Sequence, residues 1–359
     1  MSLVSDTLLD HIDLMSHPTL KAHTCLNRLQ RRYPCTVCAD LCPHRVFPVH
    51  SGEEIRWKQC TDCGLCVSAC PARALSPSRR AFQMYVDTLK ENFPLRLTCQ
   101  REETHGEVHV PCLAALPWEL LAILALQGRI ILCMRECESC LLEGQRRLLL
   151  ENVDRLKAFL GEARFEKQVK RIQAGEEIPE ADDSLAPETV MNRRELFTAA
   201  FQRLERRALK QAEKRLPFLA EQEEDVLWLR RLLAKTVRED KEETHAYGLA
   251  IPSFLTSCFG CSICERICPH GALSIVPEEG GTRLIFLEPW KCTGCSLCAK
   301  LCPHGGIGGL SLTVLPHLDK LALVRVKSLS CMECGAVLLP GTNPPLCRRC
   351  QGRRKTGKR

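Results

Sequence analysis

Cysteine is the residue that most constrains this chain, because 25 of its 359 residues are Cys. They fall into four groups, at residues 25–70, 99–140, 258–302 and 331–350, and none lies between residues 140 and 258. The chain is long and opens without a basic and apolar signal sequence, so the disulfide framework of a small secreted protein is not expected. Dense cysteine of this kind indicates metal or redox chemistry, and we expect a cytoplasmic location, where thiols stay reduced.

Two copies of one spacing, C-x2-C-x2-C-x3-C-P, make up the third group. The copies are Cys258, Cys261, Cys264 and Cys268-Pro269, and Cys292, Cys295, Cys298 and Cys302-Pro303. Three cysteines on one tight loop can surround three irons of a cubane, while the fourth lies past a helical turn and reaches a second cluster. The doubled motif therefore predicts two 4Fe-4S clusters, with a pair of structural zinc sites as the alternative.

The first group holds one complete copy of this motif and one incomplete copy. The complete copy is Cys60, Cys63, Cys66 and Cys70-Pro71. The incomplete copy has cysteine at its last three positions, which are Cys35, Cys38 and Cys42-Pro43. Arg32 stands at the first position and cannot ligate iron, so Cys25 is the candidate for the missing ligand. We expect a second full cubane here; the alternative is an empty site or a three-iron cluster.

In the second group, cysteines follow predicted strands. The predicted strands are the apolar stretches Leu95–Thr98, Val108–Val110 and Arg129–Leu132. They are followed by Cys99, Cys112 and Cys133, respectively. Predicted helices at Pro117–Gln127 and Leu141–Leu160 separate or follow them, which indicates a small parallel sheet. Its carboxyl edge, where open α/β sheets bind ligands, would gather these three cysteines with Cys137 and Cys140. Five cysteines favour a cluster, and a clusterless α/β domain is the alternative.

Two knuckles form the fourth group, Cys331-x2-Cys334 and Cys347-x2-Cys350, with twelve residues between them. Four thiolates on two tight turns are typical of a closed tetrahedral zinc site, as in zinc ribbons; a rubredoxin-like iron is the alternative. Zinc would fold a segment that is too short to build its own core. A basic tail follows, but aromatic and basic residues do not interleave, so nucleic-acid binding is not expected.

Between the second and third groups, apolar residues recur at helical spacing on either side of Pro217. The two sets are Leu196, Phe197, Ala200, Phe201 and Leu204, then Val226, Leu229, Leu233 and Val237. We expect two amphipathic helices that form a connector and pack against one of the cluster domains.

Charge and motifs exclude several functions. The formal net charge of +7 counts every cysteine as neutral. Each 2+ cubane on four thiolates carries about −2, so four clusters bring the net charge to about −1, unlike a general binder of polyanions. No apolar run reaches the roughly 18 residues of a membrane helix. Without a phosphate loop or a Rossmann fingerprint, the sequence does not indicate flavin or nicotinamide binding. It identifies no small-molecule substrate. His44, His270 and His304 follow Cys-Pro pairs, and we interpret them as packing or surface residues; the alternative is that they donate to cluster sulfurs and couple reduction to protonation.

Residues 251–312 resemble bacterial two-cluster ferredoxins, including the sequence Cys268-Pro269-His270-Gly271-Ala272-Leu273 after the first motif. The resemblance implies crossed ligation, in which the fourth cysteine of each motif binds the cluster of the other motif. The implied sets in this unit are Cys258, Cys261, Cys264 and Cys302, and Cys292, Cys295, Cys298 and Cys268. Carried to the first group, the sets are Cys60, Cys63, Cys66 and Cys42, and Cys25, Cys35, Cys38 and Cys70.

Residues 95–160 resemble the iron-sulfur (delta) subunit of methyl-viologen-reducing hydrogenases. The matching stretches are Val108-His109-Val110-Pro111-Cys112, Pro117-Trp118-Glu119 and Ile131-Leu132-Cys133. That family delivers electrons to heterodisulfide reductase, and the resemblance implies one 2Fe-2S cluster. The chain departs from the family in the last loop, where Cys133, Cys137 and Cys140 replace two cysteines that flank a Gly-Asp pair. Which four cysteines ligate therefore stays open.

Together these patterns predict an α+β multi-domain chain. Its predicted parts are a ferredoxin-like dicluster unit (1–85), an α/β hydrogenase-delta-like domain (93–162), a helical connector (163–248), a second dicluster unit (249–320) and a zinc-ribbon-like domain with a basic tail (321–359). We expect a non-catalytic electron-transfer subunit of anaerobic metabolism, between a hydrogenase, formate dehydrogenase or other molybdopterin enzyme and an acceptor. The alternatives are a reductase with an open iron site and a maturation or redox-sensing protein.

Overall fold

The computed structural model describes residues 17–29, 35–48, 54–101, 108–140, 143–176, 227–240, 246–343 and 345–356. Its helices are α1 (Leu26–Leu29), α2 (Val37–Leu41), α3 (Leu65–Ala69), α4 (Arg79–Thr88), α5 (Trp118–Gln127), α6 (Glu143–Leu160), α7 (Glu162–Gln168), α8 (Trp228–Arg238), α9 (Ile263–Ile267), α10 (Leu297–Lys300) and α11 (Arg348–Thr356). Its strands are β1 (Thr19–Leu20), β2 (Leu75–Ser76), β3 (Leu95–Cys99), β4 (Val108–Val110), β5 (Ile130–Cys133), β6 (Val169–Ile172), β7 (Tyr247–Phe254), β8 (Leu273–Pro277), β9 (Thr282–Leu287), β10 (Ile307–Leu315), β11 (Leu321–Lys327), β12 (Leu329–Ser330) and β13 (Val337–Leu338).

A four-stranded parallel sheet of order β4-β3-β5-β6 forms the middle of the molecule. The prediction of a parallel sheet here is confirmed, and β3, β4, β5 and α5 lie where the apolar stretches placed them. Strand β6 was not predicted, because its sequence Val-Lys-Arg-Ile is short and half charged, as suits the edge of a sheet. It pairs with β5, so the sheet extends into the segment predicted as the connector.

Helix α5 is the centre of the core. Every side chain from Trp118 to Ala125 is buried, as expected of a helix that is apolar on all faces. It ends at Gly128, where a Cβ would lie 2.4 Å from the ring of Phe93, so the close approach of that ring requires glycine. Among the described residues, no helix combines the length and apolarity that a membrane span requires.

Two units that carry the paired cysteine motifs, which we call the ferredoxin-type units, pack against the sheet and against each other. In the first, β1 and β2 pair in antiparallel fashion around α2 and α3. In the second, β7 pairs with β10, and β8, β9 and β11 form a three-stranded antiparallel sheet. Strand β11 lies in the segment predicted as the zinc-ribbon-like domain, but it pairs with β9. The cysteine-based boundary could not detect it, because the strand contains no cysteine.

One hydrophobic core joins the parts, from Leu65 in the first unit through the sheet to Val326 of β11. Polar contacts cross the same boundaries: the Tyr85 hydroxyl donates to the Ala115 carbonyl at 2.9 Å, and the Asn152 amide donates to the Ser68 hydroxyl at 3.0 Å. The knuckles have a small separate core made of Cys331, Leu338, Leu346 and Cys350. The two ferredoxin-type units thus pack directly against the sheet.

Helix α8 is the described part of the predicted connector. It packs on α5 and buries Leu233 and Val237, two of the residues predicted to form its apolar face. The other predicted helix, with Leu196 to Leu204, lies outside the described residues, as do Pro217 and Val226.

Candidate metal centres

Four thiols surround the irregular N-terminal site, which we call the Cys25 site: Cys25, Cys35, Cys38 and Cys70. They line one cavity of about 460 Å³ together with apolar side chains such as Phe47 and Leu75. Burial, and next the neighbouring thiols of Cys70, Cys35 and Cys25, raise the pKa of Cys38 to about 12. The structure therefore brings Cys25 to the position that the motif leaves without a ligand.

The second N-terminal site, the Cys42 site, consists of Cys42, Cys60, Cys63 and Cys66. These four cysteines line a small cavity closed by Trp57, Phe47 and His44. Burial, and then the charges of neighbouring thiols that include Cys63, Cys60 and Cys42, raise the pKa of Cys66 well above its usual value. Cys38 of the Cys25 site also acts on Cys66, so the two sites are neighbours.

The second ferredoxin-type unit repeats this arrangement. Its sites are the Cys258 site (Cys258, Cys261, Cys264 and Cys302) and the Cys268 site (Cys268, Cys292, Cys295 and Cys298). Burial, then Cys258 and Cys261, and in smaller part Cys302, raise the pKa of Cys264 to about 12. Burial, then Cys292, Cys295, Cys268 and finally Cys264, raise the pKa of Cys298 to about 12. The thiols are therefore grouped in the crossed sets that the ferredoxin resemblance implies.

The backbone builds the same sulfur environment three times. The amide of the residue four places after the motif's last cysteine donates to that cysteine's sulfur, from Ala74 to Cys70 at 3.2 Å, from Ala272 to Cys268 at 3.3 Å and from Gly306 to Cys302 at 3.1 Å. Such donors stabilise thiolates and tune the potential of a bound cluster. The histidines lie beside these turns: His270 Nε2 is 2.6 Å from the Ala72 carbonyl, and the His304 ring packs 4.8 Å from the Phe259 ring.

At the carboxyl edge of the parallel sheet, Cys112 lies near Cys99 and Cys140. Burial raises the pKa of Cys112, and these two thiols and Cys63 of the Cys42 site raise it further. Cys137, on the turn between β5 and Cys140, packs against the edge of the main core. We call Cys99, Cys112, Cys137 and Cys140 the sheet-edge site.

Cys133 belongs to a different apolar cluster from the one against which Cys112 and Cys137 pack. Side chains alternate along a strand, so Leu132 faces the main core while Ile131 and Cys133 face the opposite side. Cys133 is fully buried there beside Ile172 of β6. The alternation of side chains along Ile130–Cys133 could have indicated that Cys133 faces away from the main core. The prediction instead grouped the cysteines only by their positions at strand ends.

The four knuckle cysteines are the one described group whose ligand atoms all lie within 4.8 Å of one another. The sulfurs of Cys334 and Cys347 are 3.6 Å apart. The Cys347 amide donates to the Cys331 sulfur at 3.3 Å, and this bond is the main cause that lowers the pKa of Cys331 to about 6. A thiolate favoured in this way, in so compact a set, suits one metal ion.

One buried ionic group was not predicted from the sequence. Glu119 of α5 bonds Arg73 of the first unit at 2.5 Å and Arg230 of α8 at 3.1 Å. The sequence shows Glu119 only as a single carboxylate in an otherwise apolar helix. Its two arginine partners are distant along the chain, so the ionic group could not be predicted.

Comparisons with known families agree with the two ferredoxin-type units. Residues 257–306 match the family described as 4Fe-4S dicluster domain, and residues 53–76 match the family described as 4Fe-4S binding domain. No curated protein and no solved structure matches the chain. Neither family match reaches the middle domain or the knuckles, so nothing supports the resemblance to the hydrogenase delta subunit or confirms a zinc ribbon. The chain therefore carries two 4Fe-4S ferredoxin-type domains, which indicate an iron-sulfur electron-transfer protein with at least two clusters.

Proposed function

We propose that this chain is an electron-transfer subunit that holds four 4Fe-4S clusters, one in each of the Cys25, Cys42, Cys258 and Cys268 sites. The observation that carries the proposal is the crossed grouping of the thiols, including Cys25, which the local motif does not contain. A cubane needs four thiolates around a compact core, and each of these sites supplies four.

We further infer a cluster at the sheet-edge site, bound by Cys99, Cys112, Cys137 and Cys140. The proximity of Cys112 to Cys99 and Cys140 supports this set, and the opposite orientation of Cys133 argues against that residue. A 2Fe-2S cluster rests on the hydrogenase-delta resemblance alone. For the knuckles we propose zinc, because their compact thiol set fits a single tetrahedral ion.

The order of the sites supports transfer of electrons in series. Cys112 of the sheet-edge site lies near Cys63 of the Cys42 site, and Cys66 of that site lies near Cys38 of the Cys25 site. The Cys25 and Cys268 sites meet where Cys35 and Cys295 pack against one small apolar cluster. Cys298 then lies near Cys264 of the Cys258 site.

This series has two ends, where partner subunits would exchange electrons. The turn that carries Cys137 and Cys140 is open to solvent, with Glu136, Glu138 and Ser139 exposed. A loop at the edge of a sheet is accessible to another protein, so we propose this end as the docking point for a donor oxidoreductase of the hydrogenase, formate dehydrogenase or molybdopterin type. The Cys258 site is the opposite end of this series. We also propose that the protein works in the cytoplasm.

A reductase with an open iron site is the second candidate. The cavity of about 460 Å³ at the Cys25 site favours it, because the cavities at the Cys42 and Cys268 sites measure about 20 Å³ each. The chain would then turn over a substrate at that site instead of only passing electrons.

The test is a reductive titration of the anaerobically prepared chain, followed by reoxidation with a one-electron acceptor. The proposal predicts uptake and return of about four electrons from four cubanes, and about one more from a cluster at the sheet-edge site, with no substrate needed. Uptake of only about two electrons would contradict four working clusters, and electrons that leave only to a specific substrate would favour the reductase.

A further inference from the structure

A buried ionic triad of Arg73, Glu119 and Arg230 lies where the three iron-sulfur parts meet. Glu119 has a side-chain exposure of 1%, against 11% for Arg73 and 4% for Arg230. Burial alone would raise the pKa of Glu119, but the charges of Arg73 and Arg230 outweigh it and lower the pKa, so the carboxylate is ionised. Two guanidinium groups and one carboxylate leave one net positive charge inside the molecule.

Each arginine of the triad is tied to the backbone beside cluster ligands. Arg73 follows Cys70 in the turn after the motif, at a φ of 47°, and its guanidinium donates to the Ser68 carbonyl at 2.7 Å. Arg230 donates to the carbonyls of Trp290 and Pro289 at 2.9 and 3.0 Å, just before Cys292. The triad therefore holds the start of the Cys268 site against the end of the Cys25 site.

The charges of both arginines reach ligand sulfurs. Burial raises the pKa of Cys70 and of Cys292, and the positive charges of Arg73 and of Arg230, respectively, oppose that rise. Arg155 also interacts with the triad: burial and then the charge of Arg73 lower its pKa, while Glu119 and Glu151 raise it, although part of the residue surface stays exposed to solvent.

We propose that the Arg73–Glu119–Arg230 triad sets the reduction potentials of the two clusters that meet at the junction between the ferredoxin-type units. This inference rests on the proposed function, since it requires clusters in the Cys25 and Cys268 sites. An added electron takes each cluster from about −2 to about −3, and a positive charge in a low-dielectric surrounding favours that change. The triad therefore raises both potentials together and leaves the difference between them little changed.

The triad contains charges of both signs, so its variants can distinguish an effect of charge from an effect of lost packing. Glu119→Gln removes the negative charge at constant volume, so both junction potentials rise. Arg73→Gln lowers mainly the potential of the Cys25 site, and Arg230→Gln lowers mainly that of the Cys268 site. Each change is expected to alter the reduction equilibrium constant about tenfold, which is about 59 mV for a one-electron couple. A loss of packing would not reverse sign between these variants.

The measurement is a redox titration of the full chain, with each cluster followed by its paramagnetic signal and assigned through serine variants of its ligands. Lys235→Gln removes an exposed charge from the same helix as Arg230 and is the matched control, with no expected shift. Arg230→Lys keeps the positive charge but loses the forked hydrogen bonds. We expect it to retain the wild-type potential even if the protein is less stable. It therefore still tests the role of the charge if Arg230→Gln does not fold.

The proposal is supported if the junction potentials rise in Glu119→Gln and fall in the arginine variants, while the potentials of the other two clusters stay unchanged. Unchanged potentials in Glu119→Gln, or equal shifts of all four clusters, overturn it. Absence of four reducible cubanes in the unaltered chain would instead overturn the proposed function, so the two failures are distinguishable.

Discussion

At the scale of single residues, position in space decides which thiols belong together. Cys25 lies ten residues before Cys35, yet its side chain lines the same cavity as Cys35, Cys38 and Cys70. Cys133 ends a strand at the correct edge, yet its side chain faces the other side of the sheet. A ligand set is therefore defined by side-chain direction as well as by spacing.

Cys25→Ser is expected to affect one cluster only. Removal of its thiolate leaves the Cys25 site with three cysteines, which can hold a three-iron cluster but not a fully cysteine-bound cubane. Low-temperature paramagnetic resonance should show the loss of one cubane signal, with or without a new three-iron signal. An unchanged spectrum would mean that Cys25 is not a ligand.

Cys112→Ser and Cys133→Ser form a matched pair for the sheet-edge site. The first removes a thiol that neighbours Cys99 and Cys140, and the second removes a buried thiol on the opposite face. We expect Cys112→Ser to abolish the cluster signal of the middle domain and electron exchange with the donor, while Cys133→Ser retains both. Equal loss in the two variants would contradict the proposed ligand set, and wild-type exchange in both would make this domain a scaffold.

At the scale of elements, local sequence predicts what is decided locally. Strands β3, β4 and β5 and helix α5 follow from short apolar runs with proline and glycine at their ends, and the structure confirms them. Strand β6 carries too little apolar sequence to be recognised alone and forms because β5 offers it a free edge. The contacts of Glu119 could not be predicted for a related reason, since Arg73 and Arg230 are brought to it only by the packing of separate elements.

Gly128→Ala tests the packing at the end of α5. The added Cβ would lie 2.4 Å from the Phe93 ring, so the ring or the start of β5 must move. We expect the free energy of unfolding to fall by about 1–3 kcal/mol, measured as a lower urea midpoint in the cluster-loaded protein. Gly352→Ala is the control, because a Cβ added at that glycine would meet no atom within 4 Å and the residue lies in α11, where alanine favours the helix. If the urea midpoint of Gly128→Ala is no lower than that of the control, the Phe93 ring can move aside without loss of stability.

At the scale of the whole molecule, the proposed electron path passes through five thiol sites in one continuous order. The main core extends from the first unit through the sheet to the second unit, so the spacing between sites is fixed by packing. The sequence predicts the number of sites, because each motif is local. It does not predict their order, since the neighbours Cys63 and Cys112 or Cys35 and Cys295 are far apart along the chain.

The most direct test of four cubanes in crossed sets is the content of iron and acid-labile sulfide in anaerobically prepared protein. Four sites with four irons each predict about sixteen cubane irons per chain, with up to about two more from the sheet-edge site. A content near eight irons would contradict the account, because it would leave the first ferredoxin-type unit, and with it the proposed path between the sheet and the second unit, without clusters.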